Sequence, residues 1–249
     1  MCPGPSPADA EFTCEFLFDG RLRVLQPRQG YRFSVDAVLL AHFIAPKKGE
    51  RVLDLGTGCG ILPLILSYRH PGVGGVAVEI QPRLAALARE NFAANGLAAA
   101  WRVAEHDFRE LAELLPAGGF DWVISNPPYR PAGSGRRNPL AESAAARHEL
   151  TADLEALAAA MRSALKNGGR AALVYPASRT AALITVLKMH GLEPKRLQIV
   201  YSLPGDSGQL VLIEARKGGG EHIAVLPPFF ICREPGGSYS PEMANCYQP

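Results

Sequence analysis

The stretch "VLDLGTGCGIL" (52–62) decides the fold. Its first residues are apolar apart from one acid, Asp54, and read as a buried strand. Glycines then fall at every second position, Gly56, Gly58 and Gly60, before "ILPLILSYRH" takes up helical spacing. Glycines between a strand and a helix permit a tight turn and a close approach of backbone to a ligand. The spacing is G-x-G-x-G, not the G-x-G-x-x-G of dinucleotide binders. Asp54 sharpens the distinction, because an acid beneath the loop repels a pyrophosphate and suits a cationic ligand.

Outward from this loop the pattern repeats. "GGVAVEI" is a strand, and "QPRLAALARENFAANGL" is a helix ended by Gly96. "AAWRVAEHD" is a strand, "FRELAELL" a short helix, and "FDWVISN" a strand. "TADLEALAAAMRSAL" reads as a helix capped by Thr151, "GGRAALVYP" as a strand, and "SRTAALITVLKMHG" as a helix capped by Ser178. "RLQIVYS" and "QLVLIEARK" have no helix between them, so they are expected to pair antiparallel. Seven strands alternating with helices predict an α/β fold: a mostly parallel sheet, its last strand antiparallel, with helices on both faces.

Ahead of this core, "EFLFDGRLRVLQ" (15–26) reads as a β-hairpin turning at Asp19-Gly20. "FSVDAVLLAHFIA" (33–45) reads as a helix capped by Ser34. Three segments result: a tail and hairpin (1–32), the α/β domain (33–217), and a Gly- and Pro-rich tail (218–249) expected to be irregular.

The chain has 249 residues, 47% hydrophobic, which excludes a disordered polymer. A net charge of +2 is too small to announce nucleic acid, so any basic patch must be local. The cysteines are scattered without C-x-x-C spacing; neither a disulfide framework nor a metal site follows from them. No apolar run is long enough for a membrane span, and the N-terminus lacks the pattern of a secretion signal. A cytoplasmic protein, with no membrane or metal partner and existing as monomer or homodimer, is the expectation.

Further acids follow the strands. Glu79 ends the second strand of the core, where a carboxylate can take both ribose hydroxyls of an adenosine. Asp107 follows the third, placed to meet an adenine amino group. Asp36 opens the first helix, where it complements the helix dipole and is a candidate to close over the ligand. Together with the glycine loop these residues resemble the S-adenosylmethionine site of Rossmann-like (class I) methyltransferases, over roughly residues 33–216. The resemblance implies S-adenosylmethionine as cofactor, bound by Asp36, Asp54, Gly56, Gly58, Gly60, Glu79, Asp107 and Asn126.

"SNPPYRP" (125–131) ends the fourth core strand with two prolines, which no strand interior accommodates. Asn126-Pro127-Pro128-Tyr129 resembles the catalytic motif of methyltransferases acting on a planar nitrogen. The chemistry accounts for the residue types. An aromatic amine presents two N–H donors and a lone pair delocalised into its ring. The Asn126 side-chain oxygen and the Pro127 carbonyl can accept both protons and aim the lone pair. The prolines hold that carbonyl rigid, and Tyr129 offers a face for stacking.

"FSVDAVLLA" (33–41), "ARHE" (146–149) and "GQLVLIEARKGG" (208–219) narrow the resemblance to small bacterial enzymes that methylate N6 of the adenine 3′ of the anticodon in a valine tRNA. A tRNA substrate is thereby implied. Arg130, Arg136, Arg137 and Arg147 then become candidates to contact its phosphates and bases. Guanine N2 in rRNA, N5 of a protein glutamine, and RNA binding without catalysis are the alternatives.

Overall fold

The computed structural model describes residues 11–29, 32–127 and 144–248; of residues 144–152 it describes the backbone alone. The chain opens with an antiparallel hairpin, β1 (Phe12–Leu17) and β2 (Leu22–Pro27), paired from Phe12↔Pro27 to Leu17↔Leu22. Asp19 and Gly20 occupy its turn at φ 53° and 81°, as the dipeptide demands. Phe18 also sits at a positive φ of 53°, a cost for a side chain with a Cβ. Burial of its ring, stacked on Tyr68 at 4.4 Å, offsets that cost.

Helix α1 (Val35–Phe43) follows, and then the alternating core. Its members are β3 (Arg51–Leu55), α2 (Ile61–Arg69), β4 (Gly74–Glu79), α3 (Pro82–Ala94), β5 (Trp101–Glu105), α4 (Leu111–Leu114), β6 (Phe120–Ser125), α5 (Ala144–Ala164), β7 (Leu165–Pro176), α6 (Thr180–Met189), β8 (Leu192–Tyr201) and β9 (Leu210–Lys217). The seven long strands lie in the order β8-β9-β7-β6-β3-β4-β5. β9 runs antiparallel to both neighbours, and the other pairings of these seven strands are parallel. Two apolar clusters sandwich the sheet. One packs α1, α2 and the hairpin on one face; the other packs α5 and α6 on the opposite face. No helix among the described residues is long and apolar enough to cross a membrane.

Several local expectations are corrected. The tail after residue 217 is not irregular throughout. β10 (Ala224–Val225) and β11 (Phe229–Phe230) pair parallel with β8, making nine strands in this sheet among the described residues. A sheet edge with unpaired N–H and C=O groups invites such pairing, and segments of two residues leave no periodic trace in a sequence. Helix α7 (Pro241–Asn245) then carries Met243, fully buried, into the α1–α2 cluster.

Helix α5 begins at Ala144, so Thr151 is an interior position rather than a cap. The run "AAARHEL" lacks an apolar period but is rich in alanine, the strongest helix former. Ser34 occupies the N-cap of α1 without a side-chain capping bond, and α6 starts at Thr180 after a 3-10 turn that includes Ser178.

Candidate active site

The sheet changes winding direction at β3: the chain proceeds outward through β4 and β5, then returns to add β6 on the other side. In open α/β sheets a crevice forms at the carboxyl ends of the strands at such a point. The register brings the expected residues to one level there. Leu55 pairs with Val78, Asp54 with Ile124, and Glu79 with Glu105. Gly56, Glu79 and Asn126 therefore sit side by side along the sheet's edge, and Asp107 lies two residues beyond Glu105.

The glycine loop needs its glycines for different reasons. Gly56, Gly58 and Gly60 have φ of 73°, 58° and 85°, the left-handed region that penalises a Cβ. A Cβ on Gly56 would meet nothing within 4 Å, so the loop borders open space there. A Cβ on Gly60 would lie 2.7 Å from the Phe92 ring. Packing of α2 against α3 thus demands Gly60, independently of any ligand.

Glu79 is buried at the loop's rim, accepting the N–H groups of Gly58 at 2.8 Å and Gln81 at 2.9 Å. A carboxylate offers about four acceptor positions, so these two bonds orient it and leave capacity for hydroxyl groups. Ile80, the next residue, is 55% exposed. It adds an apolar surface beside that acid that the sequence reading passed over, although an isoleucine directly after a strand-end acid was its signal. On the β6 side, buried Ser125 donates its hydroxyl to the Leu55 carbonyl at 2.7 Å. That bond ties the ends of β3 and β6 together immediately before Asn126, and it too was missed.

Asp107 is committed to Arg109. The Arg109 backbone N–H donates to its Oδ1 at 2.9 Å, and the guanidinium grips both oxygens. The Arg109 hydrogen bonds hold the Asp107 carboxyl below the usual range. Asp36 lies half-buried in the first turn of α1. Asn126 and Pro127 follow β6 without strand structure, as two prolines require. Pro128, Tyr129, Arg130, Arg136 and Arg137 lie outside the described residues, and Arg147 falls in α5 where only the backbone is described.

Asp54 carries the strongest electrostatic signal. It is fully buried; Oδ2 accepts the Thr57 hydroxyl at 2.6 Å, and Oδ1 has no hydrogen-bond partner among the described residues. Burial, reinforced by the charge of Glu79 and opposed by the Thr57 bond, pushes its carboxyl from 3.8 up to about 7. An orphaned acceptor under a glycine loop, beside a second acid, fits a cationic ligand with a ribose, as S-adenosylmethionine is.

A pH dependence follows. The raised pKa means the ligand-free fold holds a proton that the unfolded chain releases. This group's stabilising contribution is complete below the unfolded value and is lost as pH rises through about 7. A cationic ligand needs the ionised form, so cofactor affinity should rise roughly tenfold between about pH 6 and pH 8. Asp54→Asn should flatten the profile; calorimetric titration across that range checks it, and a flat wild-type profile would refute the assignment.

Comparison with known proteins identifies the family and the fold. Residues 34–188 match the model of the methyltransferase small domain. A Porphyromonas gingivalis protein named tRNA1(Val) (adenine(37)-N6)-methyltransferase is 31% identical over 227 residues, covering 88% of each chain. A protein of the same name from Tolumonas auensis is 30% identical over 87% of this chain and 88% of its own. Among solved structures, a predicted O-methyltransferase from Agrobacterium tumefaciens superposes with a TM-score of 0.68 at 21% identity. That match covers 86% of this chain and 97% of the other. TrmN from Thermus thermophilus matches with a TM-score of 0.56 at 25% identity, over 72% of this chain and 48% of its own. The chain belongs to the methyltransferase small domain family and is an S-adenosylmethionine-dependent methyltransferase.

Proposed function

We propose that the enzyme methylates the exocyclic N6 of an adenine in tRNA, the adenine 3′ of the anticodon in a valine tRNA, and that it works in the cytoplasm where that substrate is found. The observation that carries this reading is the placement of Asn126-Pro127 at the end of β6, level with Gly56 and Glu79, in a chain whose relatives bear that activity in their names.

Bound S-adenosylmethionine supplies a methyl group on a positively charged sulfur, ready for attack by a nitrogen. The loop at Gly56 and Gly58, with Glu79 and Asp54, would hold it. The chain's own part is to position the amine. Asn126 Oδ1 and the Pro127 carbonyl accept its two N–H groups, which directs the lone pair out of the ring plane toward the methyl group. No strong base is needed beforehand, since the nitrogen proton becomes acidic only after the methyl group has left the sulfur, and that proton is then released to solvent. Tyr129 is assigned the stacking face for the base.

The arginines between β6 and α5 are assigned to the RNA. Arg136→Glu combined with Arg137→Glu should weaken tRNA binding and reduce the slope of log affinity against log salt by about 2, one for each phosphate that an arginine no longer neutralises. Cofactor affinity should not move. Filter binding over a salt series measures this. A wild-type slope in the double variant would remove these residues from the interface, and a wild-type protein without affinity for tRNA would turn the reading toward protein glutamine.

A further inference from the structure

We propose that Asn91 is a positioning residue that couples the N-terminal hairpin to the cofactor loop. It lies in α3 and is fully buried. Its side chain makes three hydrogen bonds: Oδ1 accepts the Leu25 N–H at 2.8 Å, and Nδ2 donates to the Leu25 carbonyl at 2.8 Å and the Cys59 carbonyl at 2.8 Å. Chemistry sets the amide's orientation. Reversed, it would place NH2 against an N–H and oxygen against two carbonyls.

Cys59 stands between Gly58 and Gly60 and is buried. Its carbonyl precedes the N-cap Gly60, whose own carbonyl takes the first helical bond from the Leu64 N–H at 3.1 Å, so the helix supplies the Cys59 carbonyl no donor. A buried carbonyl needs a donor, and Asn91 provides it. The peptide so held is the one that leads into Gly60, whose N–H bonds the Thr57 carbonyl at 3.0 Å. The loop's curvature from Thr57 to α2 therefore leans on an amide whose other bonds go to β2.

One helical turn later Asn95 repeats the device on the hairpin, its Nδ2 also donating to the Asn91 carbonyl at 2.8 Å. It accepts the Arg23 N–H at 3.0 Å and donates to the Arg23 carbonyl at 2.7 Å. Two strand residues advance about 6.6 Å and four helix residues about 6 Å, so the pairs stay in step. Both asparagines latch the hairpin, and of the two Asn91 also bonds the cofactor loop.

The inference rests on residues 54–60 being the cofactor loop, so binding of S-adenosylmethionine by the unaltered protein is measured first; its absence would overturn both. Calorimetry and thermal unfolding are then run on Asn91→Ala and Asn95→Ala. Asn91→Ala leaves a buried carbonyl without a donor and should weaken cofactor binding by about tenfold or more. Asn95→Ala should lower the unfolding temperature yet keep affinity within about twofold. Equal affinity changes in the two variants, or none in Asn91→Ala, would overturn the coupling. If Asn91→Ala does not fold, hydrogen exchange on the unaltered protein decides. S-adenosylmethionine should slow the Leu25 amide by about threefold or more, and more than that of Arg23. An unchanged Leu25 rate would overturn the proposal.

Discussion

Asn126→Ala is expected to lower kcat by roughly 10²–10³-fold, the effect of losing one preorganised transition-state hydrogen bond, while KM for tRNA moves little. The substrate is held mainly by phosphate contacts and by stacking, neither of which this substitution removes. The bond from the amine to Asn126 strengthens only as the nitrogen attacks, so its loss falls on turnover. The fold should tolerate the change, because Asn126 follows the last residue of β6 and Ser125 keeps its bond to Leu55. Tyr129→Ala provides the contrast: a stacking platform is worth about 1–3 kcal/mol per base, so KM should rise as well. Steady-state kinetics with an unmodified transcript separate the two. Near-normal turnover by the Asn126 variant would reduce the proline corner to a turn.

Gly58→Val is expected to weaken S-adenosylmethionine binding by at least about 100-fold, with a smaller effect on unfolding temperature. Gly58 stands at φ 58°, where a β-branched side chain is strained. Its N–H also holds Glu79 Oε2 at 2.8 Å. Displacing the loop thus misaims the acid assigned to the ribose. One or two hydrogen bonds to a charged group, each worth roughly 1.5–3 kcal/mol, account for the loss. Gly60→Ala should behave in the opposite way, because its Cβ would strike Phe92 within the core. Its main effect is on the unfolding temperature. Isothermal titration and thermal melts of both variants check this, and unchanged affinity in Gly58→Val would free the loop of its assigned role.

The core was readable because its signals are local and redundant. Most of β3 to β9 carry an apolar stretch, with Gly56 after β3, Glu79 ending β4, Pro176 ending β7 and Gly218 after β9, and Asp19-Gly20 and Gly96 mark a turn and a helix end that positive φ angles realise. Asp54, Glu79 and Asn126 could be placed because a strand-end acid or asparagine has few structural reasons to be there. Much of what escaped depends on partners distant in sequence. Asn91 and Asn95 look like the polar face of an amphipathic helix until β2 is laid against them. The two-residue strands β10 and β11 exist because β8 has an open edge to pair with. The grip of Arg109 on Asp107 was not foreseen, so any adenine contact there must share a carboxylate already held by a guanidinium.

Mass-spectrometric mapping of a valine tRNA transcript after incubation with the enzyme and deuteromethyl-labelled S-adenosylmethionine tests the central claim most directly. The labelled methyl group is expected on N6 of the adenine 3′ of the anticodon, and it should be largely absent when Asn126→Ala replaces the unaltered protein over the same time. Label on a guanine N2, or transfer to a protein glutamine with none to tRNA, would contradict the account.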